Sequence, residues 1–295
     1  MINVGIVGAT GYAGEELIDI LLRHPNVRIT NISAKLDKPE IISEIFPKFK
    51  NRIDLICDEP DMKAIIAKCD LVFLALPHTV SMEMAPKLLN AGKRVIDLSA
   101  DYRLKDTKIY QQFYKTKHKD KINLDKAIYG LPELYREKIK SANLIANPGC
   151  YPTAAILGLA PLVAINLVDL DSIIIDAKSA VTGAGRKAVE ELSFSEVNED
   201  FKAYKVNIHQ HMPEINQELS KLSDKKIKIT FVPHLIPANR GILETMYLKK
   251  SLPTKSGSRF IGKKSKVSRQ SRDPDKTGKS QNLISLYKKF YKKEP

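Results

Sequence analysis

A chain of 295 residues, 43% hydrophobic and 28% charged, has a globular composition and enough length for two domains with separate cores. The opening "MINVGIVGATGYAG" has no basic leader, and the most apolar stretch, 152–175, is broken by Gly158, Pro161, Asn166 and two aspartates. Three cysteines without metal-type spacing argue against a disulfide framework, so the sequence predicts a cytoplasmic protein with no membrane span. The formal charge of +14 is concentrated at the end of the chain, where fifteen Lys and Arg and three acids lie between Lys249 and Pro295. The body before it is nearly neutral, so the charge describes a tail and not the fold.

In chain order, "INVGIVGA" reads as a strand ending in glycine, and "GEELIDILLRH" as a helix with Leu17, Ile20 and Leu21 on one face. "VRITNISA", "DLVFLAL" and "RVIDLSA" read as further strands, with a helix over "VSMEMAPKLLNAGK" between the last two. This alternation predicts a parallel, doubly wound α/β sheet. After Cys150 a helix over "PTAAILGLAPLV" precedes longer strands in "SIIIDAKSAVTG", "KIKITFVPHLI" and "GILETMYLKK", a pattern suited to an α+β domain with a mixed sheet. The predicted boundaries are 1–148 and 149–250 for the two domains, 251–281 for a mobile Ser/Lys-rich segment, and 282–295 for a last helix with Leu283, Leu286 and Phe290 on one side.

Three groups of residues carry chemistry. Gly8, Gly11 and Gly14 are three apart between the first strand and first helix, a turn that lets backbone approach a pyrophosphate at a helix N-terminus. At the end of the second strand, where an NAD site places an acid, stand Ser33 and Lys35. A hydroxyl and an ammonium suit a 2′-phosphate and favour NADP. Solvated turn residues are the alternative, and Asp37 nearby weighs toward NAD.

The second group is "NPGCYPT". A bend at Pro148-Gly149 would set Cys150 at a helix N-terminus, with Pro152 in the first turn, where proline is tolerated and a thiol pKa is lowered. "NIHQHMPEI" supplies His209 and His211, on opposite sides of an extended backbone, with Glu214 following. Two histidines beside a carboxylate suit general acid–base work, and a metal reading ranks below it because no third ligand is obvious. Cys57 and Cys69 read as structural. Third, Arg103, Arg186 and Arg240 each follow a strand or a glycine turn. They are either surface ion-pair residues or planar, multidentate contacts for phosphate and carboxylate.

Taken together, "GATGYAGEEL", "LALPH", "LSADYRL", "YGLPEL", "NPGCYPTAA", "GAGRKA", "HQHMPEI" and "PHLIPANRGI" resemble the N-acetyl-γ-glutamyl-phosphate reductases, relatives of aspartate-semialdehyde dehydrogenase, in order from Ile2 to about Lys250. The resemblance implies an NADP-binding Rossmann domain and a mixed-sheet catalytic and oligomerisation domain. A small acyl-phosphate substrate, reduced through a cysteine thioester in arginine biosynthesis, follows from it, as does a homo-oligomer. It assigns Cys150 as nucleophile and His211 as acid/base. Gly8, Thr10, Gly11, Tyr12, Gly14, Ser33, Lys35, Pro77, Gly183, Ala184 and Gly185 go to the dinucleotide, and Arg103, Asn147, Arg186, His209, Glu214 and Arg240 to the substrate.

Two features point elsewhere. Relatives acting on a carrier-linked aminoadipyl phosphate share most of these motifs. In the family the chain also continues past the helix resembling "LISLYKKFYKKEP" to a final helix near the cofactor, which makes a shortened, low-activity remnant the competing expectation. Its basic tail would bind polyanions, nucleic acid included, only nonspecifically, because aromatic interleaving is lacking.

Overall fold

The computed structural model describes residues 1–251 and 282–295, so the Ser/Lys-rich segment marked out by composition lies outside the described residues apart from Ser251. Strands β1 (Ile2–Val7), β2 (Val27–Ser33), β3 (Glu40–Ile41), β4 (Ile56–Asp58), β5 (Leu71–Leu74), β6 (Arg94–Asp97), β7 (Ile128–Tyr129) and β8 (Leu144–Ala146) form one sheet in the order β3-β4-β2-β1-β5-β6-β8-β7. Every neighbouring pair is parallel except β3 with β4. Helices α1 (Tyr12–Leu22), α2 (Ile42–Ile45), α3 (Met62–Lys68), α4 (Ser81–Asn90), α5 (Thr107–Tyr114), α6 (Lys121–Lys126) and α7 (Pro132–Lys140) connect and cover these strands.

Parallel strands are covered on both faces, which is why β1 is buried continuously from Val4 to Val7 rather than at alternate positions. One core gathers Ile6, Ile18, Ile32 and Phe49 beside β2, and another gathers Val72, Leu74, Leu88, Val95 and Tyr110 beside β5 and β6. The chain leaves β1 for β2 on one side and returns through β5 on the other. That reversal opens a crevice at the carboxyl ends of β1 and β5, where ligands bind in sheets of this kind.

The second domain begins with α8 (Cys150–Val163) and adds β9 (Ile174–Ala180), α9 (Phe194–Val197), β10 (Lys202–Ala203), α10 (Met212–Ser223), β11 (Thr230–Ile236) and β12 (Ile242–Tyr247). Its sheet runs β10-β11-β9-β12, with β9 and β11 parallel and the outer pairs antiparallel. Helices α8 and α10 cover one face, and Tyr151, Leu159, Ile175, Ile215, Leu219 and Phe231 fill the space between. The opposite face is open, with Ile174, Leu243 and Tyr247 exposed beside the ion pairs of Asp176 with Lys178 and His234.

On the covered face Glu244 stands between Ile242 and Met246 of β12. Among the described residues both its carboxylate oxygens are buried without a hydrogen-bond partner, and burial pushes it up to about 8. The last helix, α11 (Leu283–Phe290), packs on α8. Tyr287 Oη donates to the Gly158 carbonyl and Tyr291 Oη to that of Leu157 at 2.6 Å. Its packed side thus runs through Leu286 and Tyr287, while Leu283, expected on that side, is exposed.

Candidate active site

The turn from β1 into α1 is built for close backbone approach. Gly8 has φ +91°, and a Cβ there would lie 2.2 Å from the Ala75 carbonyl oxygen. A Cβ on Gly14 would lie 2.3 Å from the Gly8 carbonyl oxygen. The N–H groups of Gly8 and Ala9 donate to the Ser33 carbonyl at 2.7 and 3.0 Å, which ties the turn to the end of β2. Gly11 is the N-cap of α1 and provides no side-chain cap, so the first-turn N–H groups from Tyr12 onward remain available to an anion. Thr10 lies in the turn and Pro77 in the exposed loop that follows β5.

Ser33 is 2% exposed with its Oγ unpartnered among the described residues, so it supports the turn from beneath, whereas Lys35 stands exposed two residues on. The uncapped helix end and the glycine cradle fit a dinucleotide pyrophosphate.

Gly183, Ala184 and Gly185 form an exposed loop after β9, with φ +93° at Gly185. It crosses to the other domain at Arg186, whose guanidinium lies 4.2 Å from the Tyr12 ring centroid and pairs with Glu15. Arg240 pairs with Glu16 at 2.8 Å. Both arginines, expected at the substrate, therefore reach the N-terminal half of α1 at the dinucleotide end.

The thiol end is assembled by β6, β8 and α10. The bend at Asn147-Pro148-Gly149 makes Gly149 the N-cap of α8 and Cys150 its first residue. Cys57 and Cys69 are buried, whereas Cys150 is exposed. Gly149 is required by crowding, since a Cβ there would lie 2.7 Å from His211 Nε2 and 2.9 Å from Arg103 Nη1. Imidazole and guanidinium thus press on the residue that directly precedes the thiol-bearing Cys150.

Arg103 is 4% exposed and held by three acceptors. Nε donates to the Asn147 carbonyl at 2.7 Å, Nη2 to that of Leu98 at 2.6 Å, and Nη1 pairs with Glu214 at 3.4 Å. Glu214 is the hub. Its Oε1 accepts the N–H of Gly149 at 2.9 Å and the hydroxyl of Tyr129 at 2.7 Å, while Oε2 faces Arg103. The hub fixes the bend and the guanidinium together, a role that the motif alone did not show. Asn147 extends the sheet, its N–H donating to the Asp97 carbonyl at 2.8 Å, and its side chain turns back on Pro148.

The two histidines do not diverge as an extended backbone would make them. The segment is a turn leading into α10, so their rings meet edge to face with centroids 4.9 Å apart, both against Tyr151. His209 Nδ1 accepts the N–H of His211 at 3.0 Å, and burial pushes His209 down to about 4. His211 is pushed well below its ordinary value by burial, then by the charges of Arg103 and His209, and its Nδ1 is buried without a partner among the described residues. Among the described residues no group of three or more His, Cys, Asp or Glu could hold a metal ion.

The thiol departs from the expectation of a low pKa. Burial on its inner side pushes Cys150 up, and the N–H groups of Tyr151 and Cys150 with the Arg103 charge pull downward without prevailing. Cys150 and His211 therefore rest as a neutral pair, not as thiolate and imidazolium.

A two-domain α/β dehydrogenase is the class that this fold defines. The family model described as Semialdehyde dehydrogenase, NAD binding domain, matches residues 3–142, and the one described as Semialdehyde dehydrogenase, dimerisation domain, matches 150–260. The aspartate semialdehyde dehydrogenase of Candida albicans, solved with NADP, superposes with a TM-score of 0.64 at 17% identity, over 87% of this chain and 74% of that one. The N-acetyl-gamma-glutamyl-phosphate reductase of Syntrophobacter fumaroxidans is 49% identical over 84% of this chain and 72% of its own. That of Desulforudis audaxviator is 42% identical over 100% of this chain and 78% of its own. This chain belongs to the N-acetyl-gamma-glutamyl-phosphate reductase family.

Proposed function

We propose that the chain reduces N-acetyl-L-glutamyl 5-phosphate to N-acetyl-L-glutamate 5-semialdehyde and phosphate, the arginine-biosynthetic step that the relatives' name denotes, with NADPH as reductant. The observation that carries this reading is the convergence of Cys150, His211 Nε2 and Arg103 Nη1 around Gly149. Cys150 Sγ attacks the acyl carbon while His211 Nε2 takes the thiol proton, which both groups' neutral resting forms require. The bond from acyl carbon to phosphate oxygen breaks, Arg103 supplies the positive charge beside the departing phosphate, and a thioester remains on Cys150. Sulfur donates little resonance to that carbonyl, which leaves it open to reduction. When bound, the dinucleotide supplies the hydride. The tetrahedral adduct on sulfur then collapses to the aldehyde, and the proton held by His211 returns to the sulfur.

NADP rather than NAD is supported by the exposed Lys35 ammonium at the end of β2 and by the NADP in the Candida albicans neighbour. A second copy of the chain across the open face of the four-stranded sheet is supported by the exposed Ile174, Leu243 and Tyr247 and by the name of the matching domain model. No helix among the described residues is long and apolar enough to cross a membrane, and three free thiols suit the cytoplasm.

The test is NADP⁺ reduction by N-acetylglutamate semialdehyde with and without inorganic phosphate. Wild type is expected to require phosphate. Cys150→Ser should lower turnover on the order of 10⁴-fold or more with NADP⁺ affinity unchanged. Turnover that ignores phosphate, or that survives in Cys150→Ser, would overturn the reading.

A further inference from the structure

The loop after β5 holds a strained residue that the reaction above does not use. Thr79 has φ +78°, a left-handed conformation that costs a β-branched residue on the order of 1–3 kcal/mol. Asp101, wholly buried, maintains it. Its carboxylate accepts the N–H of Thr79 at 2.7 Å, the N–H of Met82 at 3.0 Å and the hydroxyl of Tyr110 at 2.7 Å.

The residue that this arrangement presents is His78. Its Nδ1 accepts the N–H of Ala100 at 3.0 Å, and its ring stands edge-on to Tyr114 with centroids 5.1 Å apart. A ring nitrogen that accepts from a backbone N–H carries no proton, so the neutral imidazole keeps its proton on Nε2. Among the described residues Nε2 has no hydrogen-bond partner, and the side chain is exposed. It is therefore a fixed donor without a protein acceptor.

Topology says what it faces. Strands β5, β6 and β8 are consecutive parallel neighbours, so their following loops set His78, Arg103 and Cys150 side by side at one edge of the sheet. The glycine turn after β1 lies on the far side of His78. Burial of its inner side and the Arg103 charge push His78 below its usual value, against the opposing charge of Asp101.

We propose that His78 Nε2–H is a neutral donor to the phosphoryl group that the acyl phosphate brings in and that leaves as inorganic phosphate. The proposal rests on the acyl-phosphate reading given above. Arg103 has three of its N–H groups engaged by Asn147, Leu98 and Glu214, so few of its donors are left to direct a tetrahedral oxyanion. A neutral donor adds direction without a second cation, which would hold the departing phosphate too tightly.

The experiment pairs His78→Ala with His78→Gln, whose amide reaches toward the Nε2 position. In phosphate-dependent NADP⁺ reduction, His78→Ala should raise the KM for inorganic phosphate roughly ten- to a hundredfold. The KM values for aldehyde and NADP⁺ should stay within about twofold, and His78→Gln should recover most of the loss. Binding of inorganic phosphate alone, followed by ³¹P line broadening on the full chain, gives the same comparison without turnover. A phosphate KM unchanged in His78→Ala, a rise falling on NADP⁺ or on all three ligands equally, or a wild-type chain that binds no phosphate would each overturn the proposal. A wild-type chain that binds phosphate through His78 yet turns nothing over would uphold it and defeat the acyl-phosphate reading instead.

Discussion

The turn from β1 into α1 and the turn from β8 into α8 are the same local structure put to two uses. Each runs from a parallel strand through an extended glycine N-cap, with φ/ψ of −73°/163° at Gly11 and −67°/160° at Gly149, into a helix without a side-chain cap. At Gly11 the surroundings are open, and a Cβ would meet only the Gly8 carbonyl oxygen at 3.6 Å. At Gly149, Arg103 and His211 press against the backbone. The first helix end offers its N–H groups to a ligand, and the second directs them to the sulfur of its own first residue. The difference shows that a helix N-terminus has no chemistry of its own. What packs around it decides whether its N–H groups stay open or turn to a side chain of the helix itself.

The strongest way to break this comparison is to place the same methyl group in both turns. Gly149→Ala should lower kcat/KM about a hundredfold or more, because it displaces His211 Nε2 or Arg103, while NADP⁺ affinity holds. Gly11→Ala should weaken NADP⁺ binding and leave the rate of Cys150 alkylation unchanged. Equal effects in the two assays would abolish the distinction.

Alkylation against pH sharpens it further. Cys150 is the exposed thiol, and its raised pKa predicts an iodoacetamide rate that still climbs beyond pH 9. A plateau below pH 8 would mean that the helix N–H groups and Arg103 outweigh burial.

The smallest effect tests whether a carboxylate needs partners such as those around Glu214. Glu244 has none among the described residues, and its folded pKa of about 8 lies above the ordinary 4.5. Above pH 4.5 the unfolded chain releases this proton and the folded chain keeps it. Stability is thereby lost as pH rises toward 8, by at most about 1.4 kcal/mol per unit. Glu244→Gln should stabilise the chain by roughly 1–3 kcal/mol at pH 7.5 and by nothing near pH 4, as read by urea unfolding.

Much of this architecture is legible in the sequence because it is local. The glycine spacing from Gly8 to Gly14 and the strand–helix alternation locate the dinucleotide crevice, and Gly149 with Pro152 locates the helix start at Cys150. What was not legible depends on neighbours remote in the chain. No local pattern shows that α10 brings Glu214 beneath Gly149, 65 residues away, or that burial prevails at the thiol. The period-two argument separates His209 from His211 only if the backbone is extended, and here it turns. Arg186 and Arg240 were recognisable as multidentate residues, but their partners Glu15 and Glu16 belong to the other domain.

Two of the seams that join the domains are of unlike character. On the substrate side Gln217 Oε1 accepts the Lys105 N–H at 2.9 Å and its amide donates to the Arg103 carbonyl at 2.9 Å, in the manner of a rung between strands, beside the buried Arg103–Glu214 pair. On the dinucleotide side the join is Arg186 to Glu15 and Arg240 to Glu16, with both arginines exposed. Dissolved ions screen the second seam and leave the first almost untouched. Raising ionic strength is therefore expected to loosen the dinucleotide side before it disturbs the geometry around the thiol.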